Sequence, residues 1–351
     1  MNIHLRACIV FAVLLPGAIA ISAQQPPPPA KAAPNRTIHL DVSVEAKSGE
    51  AVPGLAEQDF TVLDNAAAQP VTTFKAVSVS DEPVEVILVM DSVNTRFETV
   101  SYEQGELQKF LKSSGKLAHP TTIAMLTDKG AQIQKGFSTD GNVLSHLLDG
   151  YTAGLREITH NTGYWGATER LQISLTAARE LAAYAAGLPG RKIIVWISPG
   201  WPLLSGVRMD LDSKQQKGIF SDIVSFSTQL REGRVTLYNI NPRGVGESLL
   251  GANYYQEFVK GVRKPSQTQF GDLGLQVLAV QSGGLAVESD NDIATSLKKC
   301  LGDTESWYEV SFPMPPAEQP NEYHHIEIKV DKPGVTARTR DGYYAQPEAR
   351  P

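Results

Sequence analysis

The sequence predicts an α/β protein with a central, mainly parallel sheet covered by helices on both faces, together with a smaller all-β part. Strand-like and helix-like segments alternate between residues 84 and 301, which is typical of parallel strands joined by helical crossovers. Residues 37–80 and 304–347 instead carry the alternating apolar pattern of half-buried strands. The α/β region is therefore expected to be flanked by β segments on both sides.

The N-terminal residues 1–23 have the layout of a secretory signal peptide. Arg6 precedes an apolar stretch, residues 7–15, and small residues then offer cleavage sites. The stretch is interrupted by Pro16 and is shorter than the roughly 20 apolar residues that span a bilayer. The proline-rich residues 24–36 predict a stiff linker. We therefore expect an exported, periplasmic or extracellular protein without a membrane span after cleavage; an uncleaved anchor is the second interpretation.

Composition excludes several kinds of partner and site. The net charge is −6 and no dense Lys/Arg stripe occurs, so nucleic acid is not an expected partner. Cys8 leaves with the signal peptide and Cys300 stands alone, which rules out an intramolecular disulfide and a cysteine metal cluster. Zinc-protease histidine spacing, a nucleophile elbow and a phosphate-binding loop do not occur. We expect no enzyme, and an unrecognised hydrolase is the remaining alternative.

The elements are predicted in chain order from apolar periodicity. Alternation over residues 37–46 predicts a first half-buried strand, and the apolar run 84–90, broken only by Glu85, predicts a strand covered on both faces. Segments 122–126 and 133–137 predict an edge hairpin closed by Asp128-Lys129-Gly130. Helices are predicted at 101–112, 168–186, 215–231, 272–281 and 292–301, buried strands at 192–198, 235–240 and 285–287, and flanking strands at 60–64, 71–74, 307–312, 325–330 and 335–344.

Each flanking β segment has about 44 residues, which is small for an independent core. Together they approach the size of an immunoglobulin-like sandwich of about 100 residues. We expect them to form one immunoglobulin-like domain, interrupted in sequence by the α/β domain. Two β flaps packed separately on the sheet are the second interpretation.

Five short motifs occur in order between residues 37 and 345. They are Met90-Asp91-Ser92-Val93-Asn94-Thr95, Gly136-Phe137-Ser138-Thr139-Asp140, Pro189-Gly190-Arg191-Lys192 leading into Ile197-Ser198-Pro199-Gly200, Ser282-Gly283-Gly284, and Gly342-Tyr343-Tyr344. In this order and spacing, the chain resembles the von Willebrand factor type A (VWFA) domain, and more closely the VWFA-related family described from acidobacteria. The resemblance implies a Rossmann-like type A domain over residues 84–301 and a protein-binding or adhesion function.

The resemblance also implies a metal site, which can be compared position by position. In the type A family, the first strand ends in an Asp-x-Ser-x-Ser loop that holds a divalent cation. Asp91, Val93 and Thr95 occupy these positions here, so the middle hydroxyl is missing. Thr168 matches the threonine of the second loop, and Pro199 replaces the aspartate of the third. Asp91, Thr95 and Thr168 remain as ligands of a degenerate metal-ion-dependent adhesion site that would bind Mg²⁺ or Mn²⁺ weakly.

The residues themselves place a binding face at the same position. Ligands of open α/β sheets bind beyond the carboxyl ends of the strands, which is where Asp91 and Asn94 are expected. Trp165 and Trp201 are expected to surround them, and tryptophan is a favoured anchor at protein interfaces. We therefore expect a protein or surface-glycan partner at this face. The alternative is a metal-independent structural scaffold of the cell envelope.

Each of these residues also has a structural interpretation. Asp91 is equally suited to accept hydrogen bonds from the amides of its own turn. Thr95 and Thr168 suit turn or helix-cap positions, and the tryptophans can pack into their own loops. Asp210 or Asp212 could replace the missing third-loop carboxylate, although nothing in the spacing requires it.

Overall fold

The computed structural model describes residues 37–82, 84–152, 164–202, 211–242, 254–288 and 292–347. The expected signal peptide and linker, residues 1–36, lie outside the described part of the chain. Within the described ranges, no helix is both long enough and apolar enough to cross a bilayer.

A seven-stranded sheet forms the centre of the α/β region. Its strands are β5 (Glu85–Asp91), β6 (Lys116–Thr127), β7 (Gly130–Ile133), β8 (Ser138–Asp140), β9 (Lys192–Ile197), β10 (Val235–Asn241) and β11 (Ala286–Glu288). They lie in the order β11-β10-β9-β5-β6-β7, and β8 also pairs with β6. The strands from β11 to β6 are parallel, whereas β7 and β8 run antiparallel to β6. The predicted α/β class with a mainly parallel sheet is confirmed.

Helices cover both faces of this sheet. They are α1 (Phe97–Ser114), α2 (Gly141–Thr152), α3 (Tyr164–Ala186), α4 (Ser213–Glu232), α5 (Leu275–Gln281) and α6 (Ile293–Gly302). Ile87 and Val89 of β5 pack in one core with α3, α4 and α5. Val86 and Leu88 pack in the other core with α1, α2 and α6. Because both faces are covered, β5 is a nearly continuous apolar run.

Several predicted boundaries are wrong, and two of them have a clear physical reason. The second hairpin strand spans Gly130–Ile133 rather than 133–137, because Gly130, at φ 91°, closes a tight turn and pairs directly with Thr127. Helix α3 begins at Tyr164 rather than at residue 168. A single glycine such as Gly166 costs a helix only about 1 kcal/mol, so it does not stop the helix from extending toward its N-terminus.

The flanking segments form two four-stranded sheets. One contains β1 (Thr37–Ala46), β4 (Thr73–Ser78), β12 (Ser306–Pro313) and β14 (Val335–Arg338) in the order β14-β1-β12-β4. The other contains β2 (Phe60–Asp64), β3 (Ala67–Gln69), β13 (Glu322–Val330) and β15 (Gly342–Ala345) in the order β15-β13-β2-β3. Both contribute side chains to one hydrophobic core, which includes Val42, Phe60 and Tyr308. Residues 36–351 form one compact unit, so a separate immunoglobulin-like domain stays a prediction.

Candidate functional site

The order of the strands places a topological switch point between β5 and β9. From β5 the chain continues to β6 on one side, whereas β9, β10 and β11 lie on the other side. Crevices at the carboxyl ends of such strands are the usual binding sites of open α/β sheets. Asp91 is the last residue of β5, and Ser198 directly follows β9. The two residues meet at this switch point.

The carboxylate of Asp91 is held entirely by donors of the protein. Its Oδ1 accepts hydrogen bonds from the backbone amides of Val93 and Asn94, both at 2.9 Å. Its Oδ2 accepts from Asn94 Nδ2 at 2.9 Å and from Ser198 Oγ at 2.8 Å, with Trp196 Nε1 at 3.4 Å. A carboxylate has about four lone-pair sites, so these donors saturate it. Asp91 therefore closes its own turn and joins β5 to β9.

Burial dominates the electrostatics of Asp91, whose side chain is inaccessible to solvent. Burial raises the pKa of the carboxyl, and hydrogen bonds from Asn94, Ser198 and Val93 oppose the shift because they stabilise the ionised form. Within the described residues, no salt bridge to Asp91 is formed. Its charge is therefore balanced by oriented dipoles of the loop and not by a side-chain cation.

Asn94 extends this network to helix α3. Its Nδ2 also donates to Ser174 Oγ at 2.9 Å, and Ser174 in turn donates to the Arg170 carbonyl at 2.8 Å. Thr168 lies six residues before Ser174, which corresponds to about 9 Å along a helix axis. Ser174, and not the predicted Thr168, is thus the α3 hydroxyl joined to the Asp91 loop.

Two oxygen atoms of the loop are buried without a hydrogen-bond partner among the described residues. They are Asn94 Oδ1 and Thr95 Oγ1. Buried polar atoms are rarely left unpaired in folded proteins. These two atoms are the part of the predicted Asp91 site that retains hydrogen-bonding capacity.

The side chains around Asp91 do not fit a resident Mg²⁺ or Mn²⁺. Direct coordination would require the carboxylate to release donors that already occupy its lone pairs. Val93 is 5% exposed and packs in the hydrophobic core, so its position supplies no oxygen. Asp212 caps α4 by accepting from the Lys214 and Gln215 amides, while Asp210 lies outside the described residues. Within those residues, no cluster of three His, Cys, Asp or Glu side chains could hold a metal.

The two predicted tryptophans have different environments. Trp201 is 3% exposed and packs edge-on against Trp196 with ring centroids 5.3 Å apart, so the structure buries it instead of placing it on the rim. The cause is the turn at Gly200, at φ 98°, which brings the chain against Gln276. Trp165, in the first turn of α3, is 77% exposed.

The geometry of α3 puts Trp165 at the carboxyl edge of the sheet. The helix ends at Ala186, shortly before β9 begins at Lys192, so its N-terminal end points toward the opposite, carboxyl edge. Trp165 lies nine residues before Ser174, or about 14 Å further along the helix axis. It is therefore an exposed aromatic beside the switch point, but it does not contact Asp91 directly.

Comparisons with known proteins give distant structural similarity. No protein-family model and no curated protein matches the chain. The manganese-loaded TRAP protein of Plasmodium vivax is similar at 10% identity and a TM-score of 0.36, over 77% of this chain and 96% of that chain. Proximal thread matrix protein 1 of the mussel byssus is similar at 12% identity and a TM-score of 0.35, over 69% of this chain and 50% of that chain. The N-terminal domain of TFIIH p34 is similar at 12% identity and a TM-score of 0.26, over 46% of this chain and 82% of that chain.

Proposed function

We propose that the protein is an exported, VWFA-like adhesion module that binds a partner protein at the carboxyl edge of the seven-stranded sheet without a resident metal ion. The observation that carries this proposal is Trp165, which is the most exposed of the large apolar side chains in the described residues. Soluble proteins tend to bury tryptophan, and interface hot spots are enriched in it. The motif order and the switch-point position of Asp91 support the VWFA-like assignment.

The hydrogen bonds of Asp91 support binding without a metal ion. In a metal-dependent adhesion site, the aspartate keeps an oxygen available for the cation. Here the loop amides, Asn94 and Ser198 occupy both oxygens. The role proposed for Asp91 is to hold the loop rigid beneath the carboxyl edge that carries Trp165.

A hydrolase is the less supported alternative. The hydroxyl of Ser198 donates to Asp91 and accepts from the Gly200 amide at 3.1 Å. A serine nucleophile needs an adjacent base, usually an imidazole. Among the described residues, no histidine is hydrogen-bonded to Ser198, so the hydroxyl serves the turn.

Capture of a partner from the envelope fraction of the source organism tests the binding function. The immobilised chain is compared with Trp165→Ala and with Val143→Ala. Val143 is 48% exposed in α2, and α2 begins beside Gly115 at the amino edge. Loss of a central tryptophan typically costs about 2 kcal/mol of binding, or about 30-fold in affinity. We expect that loss for Trp165→Ala and none for Val143→Ala.

Three further measurements distinguish the proposed function from a metal-dependent site, a glycan partner and a scaffold. Chelator should leave capture unchanged, and calorimetric titration of Mg²⁺ or Mn²⁺ should give the same null result for the wild type and Asp91→Ala. Protease treatment of the envelope should abolish capture, whereas loss after periodate treatment would identify a surface glycan. Equal capture by Trp165→Ala and the wild type would overturn the proposed face and favour the scaffold alternative. Mass spectrometry of the secreted chain tests export through its new N-terminus.

A further inference from the structure

A cavity of about 760 Å³ lies away from the Asp91 loop, between residues 257–272 and the β13–β15 side of the flanking sheets. Its walls include Phe258, Val262 and the ring of Tyr323. This volume falls within the range of small-molecule sites, roughly 300–1,000 Å³. Neither the motifs nor the proposed binding face accounts for it.

The cavity wall is fixed by close backbone packing around Tyr323. A Cβ atom on Gly261 would lie 1.9 Å from Tyr323 Cζ, and one on Gly342 would lie 2.4 Å from its hydroxyl oxygen. Tyr344 additionally donates to the Val262 carbonyl at 2.9 Å. Only glycine fits at the two contact positions, so the tyrosine ring is clamped and the apolar wall is preformed.

Three acidic residues line the cavity, and of these Asp272 and Asp341 are buried or half-buried whereas Glu257 is exposed. Asp272 is 5% exposed and accepts from the Gln269 amide at 2.7 Å. Asp341 is half-buried and lies among the lining residues of the cavity. Neither carboxyl forms a salt bridge within the described residues. Burial raises the pKa of Asp272 to about 6 and that of Asp341 to about 7.

The cations near the cavity do not neutralise this pair. Lys260 and Arg263 line the mouth and are exposed to solvent. Of the described cations, Arg340 is the one that lowers the pKa of Asp341, and burial lowers the pKa of Arg340 itself to about 10. Two acidic residues without an ion pair in the described part of the chain therefore line a partly open cavity with an apolar wall.

We propose that this cavity binds an organic cation, an alkylammonium or guanidinium group, whose head pairs with Asp341 and whose stem lies against Phe258, Val262 and Tyr323. Charge-assisted hydrogen bonds to carboxylates are stronger than neutral ones. The apolar wall selects for a carbon stem over an inorganic cation. The same chemistry is offered by a free polyamine and by a lysine or arginine side chain of a peptide.

The site has a defined pH dependence. A cation binds the ionised carboxyl, so binding must release the proton that Asp341 retains near neutral pH. The other titratable groups lining the cavity are Glu257, Lys260, Arg263, Asp272, Tyr323 and His325. His325 Nδ1 donates to the Asp341 carbonyl at 2.9 Å, so it does not compete for the carboxyl. Affinity is expected to rise between about pH 6 and pH 8, because alkylamines stay protonated there.

Calorimetry on the purified full chain tests the proposal with spermidine and with an acetyl-lysine amide carrying a free side-chain amine. Butyrate serves as the anionic counterpart. The variants are Asp341→Asn, which keeps the shape of the side chain, and Asp331→Asn, which removes an exposed charge of the same β region. We expect both amines to bind the wild type, Asp341→Asn to weaken binding at least about tenfold, and Asp331→Asn to leave it unchanged. Circular dichroism verifies that each variant is folded.

Several results would overturn the assignment. They are absence of amine binding to the wild type, equal affinity for butyrate, or unchanged affinity in folded Asp341→Asn. An affinity that does not rise from pH 6 to pH 8 in the wild type contradicts it without using any variant. Binding of the lysine derivative but not of spermidine would identify a peptide side chain as the source, and the reverse a free polyamine. Trp165→Ala should bind amines normally, so this site is tested independently of the proposed partner face.

Discussion

Replacing Asp91 should destabilise the protein, and the sign of the effect distinguishes a structural carboxylate from a metal ligand. In a site prepared for a cation, ligand oxygens face each other without donors, so removing one charge relieves repulsion in the metal-free state. Here both oxygens of Asp91 accept hydrogen bonds in a fully buried position. Asp91→Asn and Asp91→Ala therefore remove acceptors on which buried donors depend.

The magnitude follows from the number of donors left unpaired. Asp91→Ala leaves the backbone amides of Val93 and Asn94 without an acceptor, and these amides cannot reorient. Each unsatisfied buried donor costs about 1–3 kcal/mol. We expect a loss of about 3–6 kcal/mol in the free energy of unfolding once the side-chain donors are included. Asp91→Asn keeps one oxygen for the two amides but turns an NH₂ group toward Asn94 Nδ2. Its expected cost is about 1–3 kcal/mol.

Urea unfolding in the presence of EDTA measures both variants against Asp128→Asn. Asp128 is exposed in the hairpin turn at the same edge of the sheet, and a surface change of this kind usually stays within about 0.5 kcal/mol. Asp91→Asn unfolding at the wild-type midpoint or above would refute the structural role. A urea midpoint that rises with Mg²⁺ in the wild type but stays constant in Asp91→Asn would also refute the structural role, because a ligand stabilises only the state that binds it.

Two further predictions concern packing and pH. Gly261→Ala should lower the free energy of unfolding by about 2–3 kcal/mol through overpacking against Tyr323. The control Gly218→Ala lies in open space on α4 and should raise the free energy of unfolding by about 0.5–1 kcal/mol. Equal urea midpoints for the two variants would contradict the clamped Tyr323 ring. Asp341 has its pKa raised from 3.8 to about 7, so its neutral form contributes stability that is full below about pH 4 and lost as pH rises through 7. Relative to Asp341→Asn, the wild type should therefore lose about 2–4 kcal/mol between pH 4 and pH 8, and parallel pH profiles in urea would disprove it.

The sequence was sufficient to predict the sheet and the position of Asp91, because both depend on local apolar patterns. The amide donors of its own turn were predicted, but the side-chain donors Ser198 and Trp196 were missed because they come from a distant segment. Ser198 follows β9 just as Asp91 ends β5, and Met90 pairs with Ile197. A hydroxyl directly after a second buried strand was therefore a usable signal. Ser174 carried no such signal, because its contact depends on how α3 crosses the sheet.

Trp201 shows a different limit of sequence reasoning. Its position after a strand, next to Gly200 and Pro202, is typical of an exposed loop. Burial follows only from the turn at Gly200 and from the neighbouring Trp196 ring. Burial of one tryptophan by another is a tertiary property that local pattern does not encode.

The pairing of β1 has a consequence for the nascent chain. Ile38 lies opposite Phe312, so about 270 residues of synthesis separate the two strands. At about 5–20 residues per second, β1 waits on the order of 15–55 s for its partner. During that interval, an alternating strand with an apolar face is an unpaired template for other chains. Chains that end before β12 leave β1 without this partner, and we expect them to aggregate more readily than the full-length chain.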